Sequence, residues 1–242
     1  MSILLLSNST GPEPAPAQAG GAFLTHATAW IQAALGPARR VAFVPYAAVT
    51  VSYEATAARV AEALAGLGVE VVSVHTAADP AAAVASADAV LVGGGNTFAL
   101  LRAMQAAGLV EAVRARVAAG APYVGWSAGA NVACPTIRTT NDMPVAEPAG
   151  FAALGLVPFQ INPHYTDAHP PGHRGETRAQ RLAEFVAANP GVPVVGLPEG
   201  TALNVRGTVV TLLGAEAVPV FSGRAPQGER VAAAGLAGAL GM

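Results

Sequence analysis

Val124-Gly125-Trp126-Ser127-Ala128-Gly129-Ala130 places Gly-x-Ser-x-Gly at the end of a short apolar run. Where a strand turns sharply into a helix, this pattern holds the serine in a strained, exposed position and leaves backbone N–H groups free beside it. Both properties suit a nucleophile. Small-residue turns also join strands to helices in proteins without chemistry, so the serine needs partners. A hydroxyl becomes nucleophilic when a base takes its proton, and the base needs a group to orient it.

Five histidines are available as the base: His26, His75, His164, His169 and His173. His26 falls in an expected helix and His75 at the end of an expected strand, where partly buried histidines are ordinary. His164 follows the run Gln160-Ile161-Asn162-Pro163, whose proline fixes the backbone and gives the next side chain a defined direction. Two acids stand in turn-rich contexts, Asp142 in Thr139–Pro144 and Glu199 in Gly196–Gly200, and Glu199 follows an expected strand. Either could orient the histidine, and either could cap a turn.

Three further arrangements compete for a role. His164, His169 and His173 with Asp167 could hold zinc and activate water, but the spacings match no usual template and Pro170-Pro171-Gly172 intervenes. No metal is expected. Cys134 lies in Val132-Ala133-Cys134-Pro135 without a turn signature and reads as a small buried residue. Gly93-Gly94-Gly95-Asn96-Thr97 could cradle a phosphate at a helix N-terminus. Phe98 occupies the place of the last glycine of Gly-x-Gly-x-x-Gly, however, and no Gly-Lys-Ser/Thr follows. The other reading is an oxyanion donor, with the N–H of Gly94 or Gly95 and that of Ala128 each contributing about 3 kcal/mol. A tight helix–sheet contact would need the same glycines.

The elements that must position these residues follow from the apolar pattern. Strands are expected at Ile3–Ser7, Val41–Tyr46, Val69–Val74, Ala87–Val92, Pro122–Gly125 and Val192–Leu197, with a hairpin formed by Ala202–Arg206 and Thr208–Leu213 about Gly207. Helices are expected over Ala22–Leu35, Ser52–Leu67, Asp79–Ser86, from Thr97, over Val110–Ala119 and over Glu176–Ala188, and the alanine-rich tail from Val231 reads as a short helix or a disordered end. Gly11–Gly21 reads as a loop, and Cys134–Pro171 as a long irregular segment, which in a compact domain is usually functional or mobile. Alternating strands and helices imply an α/β fold: a doubly wound, largely parallel sheet with helices on both faces and a C-terminal β-hairpin. Ligands of such sheets bind beyond the strand carboxyl ends, where Gly93–Gly95, Ser127 and Glu199 all fall.

The bulk properties agree. The 242 residues form one domain in this reading, with no internal linker or repeat. Charged residues are 12% and hydrophobic ones 52%, which describes a compact globular chain. A net charge of −2 offers no field for nucleic acid or an anionic membrane surface. The apolar runs are too short to span a bilayer and the N-terminus lacks a basic region before its apolar run, so a soluble cytoplasmic protein is the expectation. One cysteine leaves no internal disulfide framework.

Longer stretches carry a resemblance. Gly125–Asn131, Cys134–Pro144, Leu4–Thr10, Val92–Thr97, Gln160–His164, Gly175-Glu176-Thr177-Arg178 and Gly196–Gly200 resemble the peptidase E family of bacterial α-aspartyl dipeptidases. The resemblance runs from the first strand to about Gly214. It implies a class I glutamine amidotransferase-like fold and cleavage of short peptides with N-terminal aspartate, without metal or organic cofactor. By position it makes Ser127 the nucleophile and His164 the general base. Asp142 matches the acid traditionally assigned as the third member and Glu199 an acid also proposed. A strand-end residue is more rigidly held, which favours Glu199 and leaves Asp142 to shape a lid or pocket. Arg178 matches a cation for the substrate carboxylate, Asn96 and Glu176 are candidate substrate contacts, and Glu176 a candidate for the α-amine. A homodimer stays open, as do a related cyanophycinase-like or esterase activity and a non-catalytic module for acidic peptides.

Overall fold

The computed structural model describes residues 1–12, 23–168, 172 and 174–242. Strands β1 (Ile3–Leu6), β2 (Arg40–Val44), β3 (Glu70–Ser73), β4 (Ala89–Val92) and β5 (Tyr123–Trp126) alternate with α1 (Thr28–Leu35), α2 (Tyr53–Leu64), α3 (Pro80–Ala85), α4 (Thr97–Ala106) and α5 (Leu109–Ala118). After β5 come the single helical turn α6 (Ala128–Asn131), β6 (Gln160–Tyr165), α7 (Arg178–Ala188) and β7 (Val194–Pro198). The chain ends with the hairpin β8 (Ala202–Arg206) and β9 (Val209–Leu213), then β10 (Ala217–Phe221), β11 (Glu229–Ala232) and α8 (Leu236–Ala239).

The main sheet has seven strands in the order β3-β2-β4-β5-β1-β8-β9. Pairing is parallel from β3 to β1, while β8 and β9 add antiparallel to one edge. This is the expected doubly wound sheet with its hairpin. Side-chain alternation along each strand divides the core in two. Leu4, Leu6, Val41, Phe43, Leu91 and Val124 face the layer that buries Ile31 of α1 with Val60 and Leu64 of α2. Ile3, Leu5, Ala42, Val44, Val90 and Val92 face the layer holding α3, α4 and α5. Local signals place the helix starts. Asp79 accepts from Ala82 N with Pro80 at the first helical position, Ser52 accepts from Ala55 N, and Thr177 with Gln180 makes a capping box.

The structure departs from the pattern reading in the second half of the chain. A second sheet of four strands, β11-β10-β7-β6, was not foreseen, nor were β6, β10 and β11 as strands. β7, expected as a strand, belongs to this sheet, pairing parallel with β6 and antiparallel with β10. One of its faces joins the core through Ile161, Val195, Leu197, Val218 and Val220. Its other face is covered by Leu182 and Val186 of α7. The stretch after Cys134 is well packed although irregular: Ile137, Ala153, Leu154, Val157 and Phe159 are buried, and Thr136 bridges Ala152. His26 lies in a 3₁₀ turn ahead of α1 and His75 in one after β3. The Gly11–Gly21 loop falls largely outside the described residues. Among the described residues, no helix is long and apolar enough to cross a membrane.

The tightest contact in the fold lies where α6 meets β4 and β5. A Cβ on Gly129 would stand 2.0 Å from the Val92 carbonyl oxygen, and one on Gly125 2.4 Å from that of Gly129. Tyr123, fully buried, donates its hydroxyl to the same Gly129 oxygen at 2.6 Å. Gly129→Ala forces backbone apart with nothing flexible to yield. We expect it to lower the unfolding free energy by about 3 kcal/mol or more in urea titration.

Candidate active site

Ser127 sits between β5 and α6 with φ 52° and ψ −115°, a conformation unfavourable for a side-chain-bearing residue. Its own N–H donates to Leu6 O at 3.1 Å, so β1 anchors the turn from the neighbouring strand. The N–H of Ala128, first in its helix, has no intrahelical acceptor. In the adjacent turn, Gly93 N bonds Val44 O at 3.1 Å and Asn96 N bonds Ala47 O at 2.8 Å. Between them Gly94 lies against the serine: a Cβ there would be 3.1 Å from Ser127 Cβ. Gly95 takes φ 138° with Ala47 O where a side chain would begin, 2.2 Å from an ideal Cβ. The turn therefore brings bare backbone beside Ser127.

His164 arrives from the second sheet. In the β6–β7 ladder Pro163 pairs with Leu197 and Tyr165 with Pro198, leaving His164 as an extra, bulged residue at φ 54°. The bulge turns its side chain toward Ser127. His164 Nε2 lies 2.8 Å from Ser127 Oγ, and Nδ1 lies 2.8 Å from Glu199 Oε1. Glu199 immediately follows β7, at a strand carboxyl end. Because a carboxylate only accepts, Nδ1 carries the proton and Nε2 is free to take one from the serine. The histidine and glutamate side chains are 37% and 50% exposed, so the line of three opens to solvent on one side.

Ser7 and Asn8 hold this line in place, and the pattern reading gave neither a role. The buried Ser7 hydroxyl donates to Leu197 O at 2.8 Å and accepts from His164 N at 2.9 Å. Asn8 Oδ1 accepts from Gly200 N at 3.0 Å while its Nδ2 donates to Gly11 O at 2.6 Å. The end of β1 thus fixes the backbone at both His164 and Glu199. A serine at a strand end gives no local sign of such a long-range bond.

Asp142 lies elsewhere. Its Oδ2 accepts from Thr97 N at 2.7 Å and from Thr97 Oγ1 at 2.6 Å, at the start of α4, and it has no hydrogen bond to His164. Asn96 caps the same helix through Phe98 N and Ala99 N and donates its amide to Met143 O, so both ends of its side chain are engaged. The neighbouring Asn141 donates to Pro163 O at 2.7 Å. Residues 139–143 therefore tie the glycine turn to β6. Arg178 opens α7 and reaches Pro163 O through Nη1 at 3.4 Å. Burial lowers its pKa first and Arg181 second, against an upward pull from Glu199 and Tyr165. Glu176 is exposed and pairs with Arg181 at 3.8 Å rather than with Arg178.

Cys134 is fully buried, and desolvation pushes its thiol up to about 12, far from a nucleophilic thiolate. Among the described residues no group of His, Cys, Asp or Glu could hold a metal ion. His169 and His173, needed for the zinc reading, lie outside the described residues. A cleft of about 420 Å³, within the range of small-ligand sites, opens over Ser127 and His164. Gly94, Gly95, Trp126 and Arg59 are among its walls.

Two outcomes follow. Native Cys134 should resist iodoacetamide at pH 8 and react after denaturation, as read by intact mass. Ser7→Ala leaves a buried N–H and C=O unpaired, so it should cost about 1–3 kcal/mol of stability. It should also slow labelling of Ser127 by a serine-directed phosphonate by about tenfold, because His164 loses its backbone anchor.

Comparison with known proteins gives the family of the chain. The profile of peptidase family S51 matches residues 3–213. Peptidase E of Citrobacter koseri is 50% identical over 222 residues, covering 92% of this chain and 94% of that protein. Peptidase E of Salmonella typhimurium is 49% identical over 221 residues, covering 91% and 93%. The crystal structure of a peptidase from an acI-B1 Actinobacterium shares the fold with a TM-score of 0.65 at 16% identity, covering 96% of this chain and 94% of that one. By its sequence, the chain belongs to peptidase family S51.

Proposed function

We propose that this peptidase is a serine exopeptidase that hydrolyses dipeptides with N-terminal aspartate through an acyl-enzyme on Ser127. The observation that carries the reading is the unbroken line Ser127 Oγ–His164 Nε2, His164 Nδ1–Glu199 Oε1, each step 2.8 Å, on a serine held at positive φ.

His164 takes the serine proton as Oγ attacks the scissile carbonyl, and Glu199 stabilises the imidazolium that forms. The negative oxygen of the tetrahedral intermediate is held by the N–H of Ala128 with that of Gly94 or Gly95, which are fixed before substrate arrives. His164 then protonates the departing amine. Water, activated by the same imidazole, releases the aspartyl group. Each role falls to a group whose backbone is anchored from another strand, so little reorganisation is needed during reaction.

Arg178 supplies the cation for the aspartyl side chain in this reading. Its guanidinium is held at Pro163, the residue before the general base, and an aspartyl carboxylate lies only two carbons from the carbonyl under attack. Desolvation around Arg178 strengthens a bidentate pair with a carboxylate. Asp142 serves as a helix cap that keeps the oxyanion turn in register with β6.

Hydrolysis of Asp-Leu, Leu-Leu and N-acetyl-Asp-Leu tests the assignment. Turnover of Asp-Leu alone, lost by at least about 10³-fold in Ser127→Ala, is the expected result. Turnover of all three would discard the aspartyl specificity, and undiminished activity in Ser127→Ala would discard the nucleophile. Glu199→Gln should lower kcat by about 10²-fold or more with an unchanged Tm. Asp142→Asn should instead reduce stability by about 1 kcal/mol, the usual worth of a helix cap, with a smaller effect on kcat.

A further inference from the structure

A dipeptide with N-terminal aspartate carries two carboxylates, that of the aspartyl side chain and that of the leaving residue. The machinery described above answers only the first. We propose that Arg59 binds the second, the terminal carboxylate of the departing amino acid, and so restricts the enzyme to substrates that end one residue beyond the scissile bond. This inference rests on the aspartyl dipeptidase reading.

Arg59 lies two turns into α2, the helix that follows β2, and lines the cleft that contains Ser127 and His164. Arg59 and His164 are the only ionisable side chains on its walls among the described residues, which makes Arg59 the one fixed charge there. It forms no ion pair, and its guanidinium donates no hydrogen bond, among those residues. A cation with no partner among the described residues, in a cleft that would admit a peptide with two carboxylates, has donors to offer the ligand. Its position is also set: the guanidinium carbon lies 4.2 Å above the centre of the Phe23 ring. Phe23 meets Trp126 edge-on at 6.1 Å, and Trp126 stacks on buried Phe43 at 6.0 Å. This aromatic series runs from the core, past the residue preceding the nucleophile, to Arg59. It holds a long side chain at the cleft without consuming its charge.

The two arginines arrive on different elements. Arg178 comes from α7 and is fixed beside β6, next to the general base. Arg59 comes from the α2 side and is exposed, which suits a group that meets the free end of the substrate. A longer peptide would place an uncharged amide, followed by more chain, where the carboxylate belongs.

The test compares kcat/KM for Asp-Leu, Asp-Leu amide and Asn-Leu in the wild type, Arg59→Gln, Arg59→Lys and Arg178→Gln. The wild type should prefer Asp-Leu over its amide by about tenfold or more, the range of a charge-assisted hydrogen bond. Arg59→Gln should erase that preference through KM, with kcat little changed, while retaining the preference for Asp-Leu over Asn-Leu. Arg59→Lys should restore part of it, and Arg178→Gln should lose the Asp-over-Asn preference instead. Equal losses on acid and amide in Arg59→Gln, no change at all, or loss of the Asp-over-Asn preference would each overturn the assignment while leaving the dipeptidase reading intact. A wild type that turns over no aspartyl peptide would overturn both.

Discussion

The site depends on one close approach, that of α6 to β4. With the Gly129 backbone pressed against Val92 O, the chain leaving β5 has no room for a relaxed turn. Ser127 therefore adopts positive φ, at a cost of about 1–3 kcal/mol that the surrounding sheet core sustains. The same approach brings Gly94 against the Ser127 side chain, beside the start of α6, where the Ala128 N–H has no intrahelical acceptor. Glycine at 125 and 129 is thus a packing requirement before it is a catalytic signature. The chemistry uses a conformation that the packing enforces.

A second feature is that the hydrogen-bonded line Ser127–His164–Glu199 spans two sheets. Ser127 belongs to the large sheet, whereas His164 and Glu199 come from adjacent strands of the small one. Two sheets can shift relative to one another unless something spans them. Ser7 and Asn8 do so from just past the end of β1, a strand paired with β5 and β8 in the large sheet, by bonding to His164, Leu197 and Gly200. Residues 139–143 add a second tie, from the start of α4 to β6. Buried hydrogen bonds suit this task because they fail sharply when geometry is wrong, so they fix distance as well as contribute energy. The bulge at His164 makes the final adjustment, aiming a side chain that a regular strand would have pointed elsewhere.

Charge is used sparingly. The chain has 13 basic and 15 acidic residues in 242, and few of them are near the cleft. Arg59, on the wall of the cleft, acts in a low background field, where a partner would be little contested. Arg178, which is not on the cleft walls, is partly desolvated beside Pro163, and Arg59 is exposed on an aromatic support.

Much of the first half was legible in the sequence because its signals are local. Continuously apolar strands buried on both faces, the proline and acid that open α3 and the glycines flanking Ser127 act within a few residues of themselves. They fix the order of strands and helices and place Ser127, Gly94 and Gly95 at strand ends. Glu199, too, could be placed after β7 from its own neighbourhood. The second sheet could not be read in this way, because β6 and β10 carry prolines and β11 carries charge, so their strand character comes from pairing partners far along the chain. The division of labour between Asp142 and Glu199 was only partly legible. The strand-end position favoured Glu199 over Asp142, but only the tertiary fold sets one against His164 and the other against Thr97. The sequence by itself determined which residues could react and on which elements they stand. The tertiary structure decided which of them meet, because a hydrogen bond between residues 35 or 157 positions apart depends on how sheets stack and leaves no mark on the residues beside it.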